Sequence, residues 1–229
     1  MTYGLQFTNG NNTVVIDSEI ARLSVIVSGR YTNNTDAGRA TTVAFPFTIT
    51  SAEPPLVFIK PDPNGIAGLY HFISIGSPGA WTGFYFYGQG LVGATVVPPN
   101  GEYFVGAFMA SPVAQYGFRL WDAGSKLIFD SGTPSAIFTR AAQTWTYERS
   151  TTDPQGQYWN FYKIFDGLPA FNEFVLVNSF GMKMVAGNGA GREVSLFWDF
   201  TNNTLRAATV QLSNPFNFWL PAVFAKKVA

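Results

Sequence analysis

The sequence contains no cysteine and a single histidine, His71, among its 229 residues. The absence of cysteine excludes disulfide bonds and cysteine-ligated metal sites. One histidine without cysteine cannot build a usual zinc site. Long apolar runs are also lacking, because no stretch approaches the ~18 consecutive apolar residues of a membrane-spanning helix. We therefore expect no metal, no cofactor and no membrane insertion.

Charged residues are scarce. Fourteen basic and fourteen acidic side chains make up 12% of the chain and leave a net charge of zero, whereas about 25% is typical of soluble domains. Because basic residues do not outnumber acidic ones, the charge of the sequence does not indicate nucleic-acid binding. A monomer with so little charge would be poorly soluble. We therefore expect other subunits to cover much of the surface, in a homo-oligomer, with a trimer as the expected state, or in a chain docked on other proteins.

A sixteen-residue pattern occurs twice, at residues 3–18 and 116–131, with an offset of 113 residues and the same Tyr-Gly start and Asp-Ser end. Alternating apolar residues flank a turn rich in Asn, Asp and Gly, which predicts a β-hairpin in each copy. A two-stranded hairpin is not stable alone, so we expect other residues of the chain to pack against each copy. The side chains expected to point inward are Leu5, Phe7, Val14, Ile16, Phe118, Leu120, Leu127 and Phe129.

The rest of the chain consists of short apolar or alternating segments bounded by Gly, Pro and Asn, with no convincing amphipathic helix. Short segments at such regular spacing, separated by turn residues, are typical of all-β proteins. Together with the repeat, it predicts two tandem antiparallel β-sandwich or barrel-like domains, at residues 1–112 and 113–229, each opened by one hairpin. The sequence leaves open whether the two halves are separate or share one continuous sheet.

Candidates for catalysis are few. His71 lies in an apolar segment, which favours a hydrogen-bonded structural histidine. No Gly-x-Ser-x-Gly motif supports a Ser-His-Asp triad, and the glycine-rich residues 187–192 lack the lysine of a phosphate-binding loop. The acids are scattered, and turn chemistry explains many of them without a glycosidase pair: Asp36, Asp62, Asp122, Asp153 and Asp166. We therefore expect that the protein is not an enzyme.

Aromatic residues make up 17% of the chain. In the segment 81–87, Phe84 and Phe86 point to one face of a predicted strand, and Tyr85 and Tyr87 to the other, which Trp81 shares by parity. Burial on both faces would explain this pattern. Tyr and Trp also suit contact with a partner subunit or stacking on a sugar ring. Trp81, Tyr85 and Tyr87 are therefore the candidate residues for partner or glycan contact.

The opening 1–7, the Asn-Gly turn and the strand that ends in Asp17-Ser18 resemble small tail proteins of long-tailed bacteriophages, found with the central tail fibre and tail tip. Residues 116–132 resemble the same opening a second time. The resemblance implies a virion protein that contacts other tail proteins. It transfers no functional residue, since the shared residues form turns and strands.

Two functions remain open under this resemblance. The first is a structural connector of the tail tip, baseplate or fibre. The second is a receptor-binding module that recognises a glycan on the host cell surface. The N-terminus lacks the charged start and apolar run of a signal peptide. We therefore expect synthesis in the host cytoplasm and a final location in the virion tail.

Overall fold

The computed structural model describes residues 6–8, 10, 14–17, 22–90, 100–185, 191–211 and 213–228. The first eight strands are β1 (Gln6–Thr8), β2 (Val14–Asp17), β3 (Leu23–Tyr31), β4 (Ala40–Ile49), β5 (Leu56–Pro61), β6 (Ile66–Ser77), β7 (Ala80–Gly88) and β8 (Gly101–Phe108). The others are β9 (Arg119–Trp121), β10 (Leu127–Asp130), β11 (Ser135–Thr152), β12 (Tyr158–Lys163), β13 (Phe174–Leu176), β14 (Lys183–Val185), β15 (Gly191–Asp199), β16 (Thr204–Gln211) and β17 (Phe218–Val228).

The predicted all-β class is confirmed. The helical segments among the described residues are two short 3₁₀ turns, Asp36–Gly38 and Asn178–Gly181. Apart from the two hairpins, the strands form one large antiparallel sheet, in the order β17-β13-β5-β8-β3-β11-β12-β16-β15-β6-β7-β4, with β14 attached to β15. Residues 91–97, which the same pattern of short apolar segments bounded by Gly and Pro predicts to be a strand, lie outside the described residues.

Strand β11 joins two parts of this sheet. Its first part pairs with β17 from Ser135 to Trp145, and its second part pairs with β12 from Thr146 to Thr152. Because β11 also touches β3, the pairings of β17, β13, β5, β8, β3 and β11 close into a ring of six strands. The remaining strands continue from β12 as an open layer. A bulged strand of eighteen residues thus serves both parts.

The division into domains at residues 1–112 and 113–229 is not confirmed. Strands of the two halves alternate in the sheet: β13 pairs with β5, β15 pairs with β6, and β11 pairs with β3. One central core contains Val57 and Phe84 from the first half together with Trp145 and Leu196 from the second. The two halves therefore share one continuous sheet, which is the arrangement that the sequence left open.

A smaller cluster of side chains lies inside the six-stranded ring. Each of the six strands contributes to it, and Phe58 and Phe104 stack at its centre with their ring centroids 4.6 Å apart. Its other members are Val25, Phe174 and Ala225, with Ala136 packed against them. The ring strands thus bury residues on both faces, because their alternate residues, such as Val57 and Ile59, face the central core.

Both predicted hairpins are confirmed, and their registers agree. Gln6 faces Asp17 in the first copy as Arg119 faces Asp130 in the second, and each copy skips one residue at the equivalent position. In the second copy, Arg119 Nε donates to Asp130 Oδ2 at 2.6 Å. Burial opposes ionisation of Asp130, but Arg119 and two backbone amides lower its pKa below the ordinary value. Asp130, the recurring Asp of the second copy, therefore stabilises its hairpin.

The prediction of inward side chains is confirmed only in part. Phe129 is buried and lies under the guanidinium of Arg22. Phe118, however, is 42% exposed, contrary to the prediction. The skipped residue breaks the alternation, so Ile128 is buried beside Phe129. Leu120 and Leu127 are half-buried, while Leu5 and the side chains of Phe7, Val14 and Ile16 lie outside what the structure describes.

Candidate functional site

The structure separates the three predicted contact residues. Tyr85 and Tyr87 lie half-buried on the outer face of the sheet, but Trp81 lies in the central core, and its Nε1 donates to the Ser51 carbonyl at 3.0 Å. The expectation that all three share one face is therefore wrong. A bulge in β7 places Trp81 on the other face. Between the Ile75–Gly83 pair and the Gly76–Trp81 pair, β6 advances by one residue and β7 by two.

Tyr85 and Tyr87 belong to a larger group that we call the tyrosine surface, formed by Tyr70, His71, Tyr85, Tyr87 and Glu193. Tyr70 and Tyr87 stack with their centroids 5.4 Å apart, and Tyr85 meets Tyr87 edge to face at 5.2 Å. His71 packs against both Tyr85 and Tyr87. Sequence reasoning missed Tyr70, which faces Tyr87 through the pairing of β6 with β7. It missed Glu193 because no local signal shows that β15 lies beside β6.

The histidine of this surface is held by backbone conformation and by one polar partner. His71 has a φ of +55°, which is uncommon for a residue other than glycine, and it lies where the β6–β7 register shifts. Its Nδ1 lies 2.6 Å from Glu193 Oε1, and both side chains are about one-third exposed. The bulge thus turns the imidazole toward a carboxylate of the second half of the chain, as expected of a hydrogen-bonded histidine.

The hydroxyls of Tyr70 and Tyr85 remain protonated at neutral pH. Burial, a hydrogen bond with Tyr87 and the nearby charge of Asp36 raise the pKa of Tyr85 above its ordinary value. Burial and the Glu193 carboxylate raise the pKa of Tyr70 in the same way. Both phenols can therefore donate hydrogen bonds to a ligand or a partner chain.

The acids that could serve catalysis have structural partners. Asp122 Oδ1 accepts from the backbone amides of residues 124 and 126, and Asp153 Oδ1 from those of residues 155 and 157, so turn chemistry explains both. Arg206 donates to the buried Asp199 at 2.6 Å and to Glu148 at 2.8 Å. Among the described residues, no group of three or more His, Asp or Glu side chains is placed to hold a metal ion.

A second candidate surface lies on the paired strands β11 and β17. In β11, eighteen residues long, Trp145 is the only fully buried one. Large apolar side chains of this pair reach solvent, and Trp219 is 70% exposed. We call the group the β11–β17 surface; its members lie on both faces of the strand pair and in the loop before β17, and they are Ile137, Phe138, Phe216, Trp219 and Val228. Apolar side chains that are exposed together in a contiguous patch are typical of protein interaction sites.

Comparison of this chain with protein-family models, curated proteins and solved structures finds no match. In the part of the chain that the structure describes, no helix is long and apolar enough to span a membrane.

Proposed function

We propose that this chain is a structural protein of a bacteriophage tail, a connector at the tail tip, baseplate or fibre. Copies of it associate through the β11–β17 surface, in a trimer. The observation that carries the proposal is β11, a long strand at the junction of the two sheet parts that buries Trp145 alone. The hairpin resemblance supports its place in a tail, and equal registers in the two copies support the hairpin as a structural unit.

The physical case for association rests on exposed apolar area and low charge. Isolated apolar residues on a surface are normal, but large side chains along two paired strands form an unfavourable contact with water. Their burial gives about 25 cal/mol per Å², and stable obligate interfaces bury on the order of 2,000 Å² or more. A net charge of zero adds no long-range repulsion between copies.

The test is the mass of the purified protein in solution, by light scattering after size-exclusion chromatography. Wild-type protein should be a trimer, and Trp219→Glu should shift it to monomer because a charge is placed in the apolar interface. The matched control is Tyr116→Glu, which changes another exposed aromatic ring, on the second hairpin. Loss of association in the control but not in Trp219→Glu would contradict the assignment of this surface.

We infer further that the protein is not an enzyme. His71 has a structural partner, Glu193, at a strand bulge, and the buried acids have arginine partners. Phage particles that carry His71→Gln should keep their infectivity, because glutamine can still hydrogen-bond Glu193. Degradation of a bacterial polysaccharide by the pure protein, with loss of that activity on substitution of an acid, would contradict this inference.

The tyrosine surface favours a second candidate function, recognition of a host-surface glycan. It combines half-exposed phenol rings with the polar groups of His71 and Glu193, and rings of this kind can stack on sugars while their hydroxyls bond. Particles carrying Tyr85→Ala and Tyr87→Ala decide between the functions. Particles that assemble but do not adsorb to cells favour the receptor binder, and particles that fail to assemble favour the connector.

A further inference from the structure

A cleft of about 420 Å³ is lined by residues that belong to neither of the surfaces described above. Its walls come from the end of β5 and the turn after it, the start of β8, the loop before β13 and the turn after β15. Clefts of ~300–1,000 Å³ are the usual size for small-ligand sites. Neither the tail-protein resemblance nor the proposed self-association uses this cleft.

The most exposed ring of the cleft is that of Phe171, at 90%. Its loop is tied at both ends, because the Ala170 amide donates to Glu173 Oε2 at 2.8 Å and the Glu173 amide donates to the Ala170 carbonyl at 2.8 Å. Lys60 places its ammonium 4.9 Å from the centre of the Phe171 ring. The ring is thus exposed and yet held in position, which lowers the entropy cost of binding a ligand.

The anchor of this loop is a buried carboxylate. Glu173 accepts a hydrogen bond from Arg140 at 3.0 Å. Burial opposes its ionisation, but hydrogen bonds from Thr139 and Ala170 and the charge of Arg140 lower its pKa below the ordinary value. Asn203, on the opposite wall, accepts from the Leu168 amide at 3.3 Å. The loop is therefore supported from two sides of the cleft.

Besides apolar residues, charged side chains line the cleft, and their charges cancel locally. Asp62 is bound by Arg30, and Glu102 lies 3.3 Å from the ammonium of Lys60. The two carboxylate side chains are 43% and 45% exposed. A carboxylate has about four acceptor sites, so one ion pair leaves it able to accept from a ligand. The cleft thus offers hydrogen-bond acceptors without a net charge.

We propose that this cleft binds a neutral saccharide. The apolar face of a sugar ring stacks on Phe171, and sugar hydroxyls donate to Asp62 and Glu102. A charged ligand would lack a counter-charge here, because each acid already has a basic partner. A purely apolar ligand would desolvate both carboxylates without replacing their hydrogen bonds with water, which is unfavourable.

The experiment measures binding of neutral oligosaccharides, namely maltohexaose, cellohexaose and hexa-N-acetylchitohexaose, to the full-length protein by saturation-transfer NMR and calorimetry. At least one should bind the wild type. Phe171→Ala should weaken that binding at least tenfold, while Phe171→Tyr should keep it because a stacking face remains. Tyr116→Ala is the matched control, since it removes an exposed ring outside the cleft and outside both surfaces and should leave binding unchanged.

Three outcomes would overturn the proposal. The first is that none of the three oligosaccharides binds the wild type. The second is loss of binding in Tyr85→Ala but not in Phe171→Ala, which would place the sugar on the tyrosine surface. The third is a change of oligomeric mass in Phe171→Ala, which would make the cleft a subunit contact. Failure of the β11–β17 surface is detected separately, because Trp219→Glu reports on mass and not on sugar binding.

Discussion

Trp145 offers the sharpest test of how the two parts of the sheet are joined. It lies where β11 passes from β17 to β12, and it is fully buried. Its Nε1 donates to the Leu220 carbonyl at 2.9 Å, and its ring stacks on Phe218 with centroids 5.9 Å apart. Phe180 meets the same ring edge to face. We therefore expect Trp145→Ala to lose burial, ring contacts and a buried hydrogen bond at once.

The expected cost of Trp145→Ala is about 3–5 kcal/mol, the range for removal of a large buried aromatic residue. Trp145→Phe keeps most of the packing but leaves the Leu220 carbonyl without its donor, which costs about 1–3 kcal/mol. For a chain of this size, a loss of 4 kcal/mol lowers the melting temperature by roughly 10 °C. Denaturant titration followed by circular dichroism measures both variants.

The companion variant is Trp219→Ala, on the strand beside Trp145. Its ring is mostly exposed, so we expect little change in the unfolding free energy of the subunit, within about 0.5 kcal/mol, although self-association should weaken. Both measurements are made at a concentration where the protein is monomeric, because association adds to apparent stability. A cost below about 1 kcal/mol for Trp145→Ala, or equal costs for the two variants, would refute this reasoning.

Three further predictions concern particular side chains. Asp130→Asn should lower stability at neutral pH. Because folding lowers the pKa of Asp130, the stability that its carboxylate contributes is present above the ordinary carboxyl pKa of about 3.9 and is lost as the pH falls through the folded value. The unfolding free energy of the variant should therefore fall less steeply with acid than that of the wild type. Arg206→Met should cost about 3 kcal/mol in urea denaturation, since it leaves buried Asp199 unpaired. Gly68→Ala should impair folding, because its Cβ would lie 2.2 Å from a backbone carbonyl; an unchanged melting curve would contradict this.

The local parts of the fold were predictable from the sequence. The hairpin registers follow from alternation and turn residues at a constant offset, and Asp17 and Asp130 recur in them. The second Asp recurs for a structural reason, because it accepts hydrogen bonds from its own hairpin and from the Ala114 amide. Hydrogen bonds of this kind form between residues that are close in the sequence, so the sequence pattern alone predicts them.

The long-range pairing was not predictable in the same way. The pattern of short apolar segments predicts that β5 and β13 are strands, but it does not predict that they pair although more than a hundred residues separate them. The position of Trp81 shows a second limit. Parity counts it with Tyr85 and Tyr87, but one extra residue in β7 turns it into the core. A bulge shifts every side chain beyond it, and nothing in the segment 81–87 marks its place.

The same limit applies to the candidate sites. Tyr85 and Tyr87 were found because they lie in one aromatic strand, whereas Glu193 joins them only through the pairing of β15 with β6. Phe171 lies in a loop with no motif, and only the fold places Lys60 against its ring. The low charge of the sequence predicts that other subunits cover much of the surface, and this stays a prediction; in the single chain, Trp219 and Ile137 are exposed.

The most direct test of the proposed function is an image reconstruction of a phage particle that contains this protein. The account predicts three copies about the tail axis, with Trp219 and Ile137 buried between neighbouring copies. A single copy at the distal end of the particle, with the β11–β17 surface facing solvent, would contradict it.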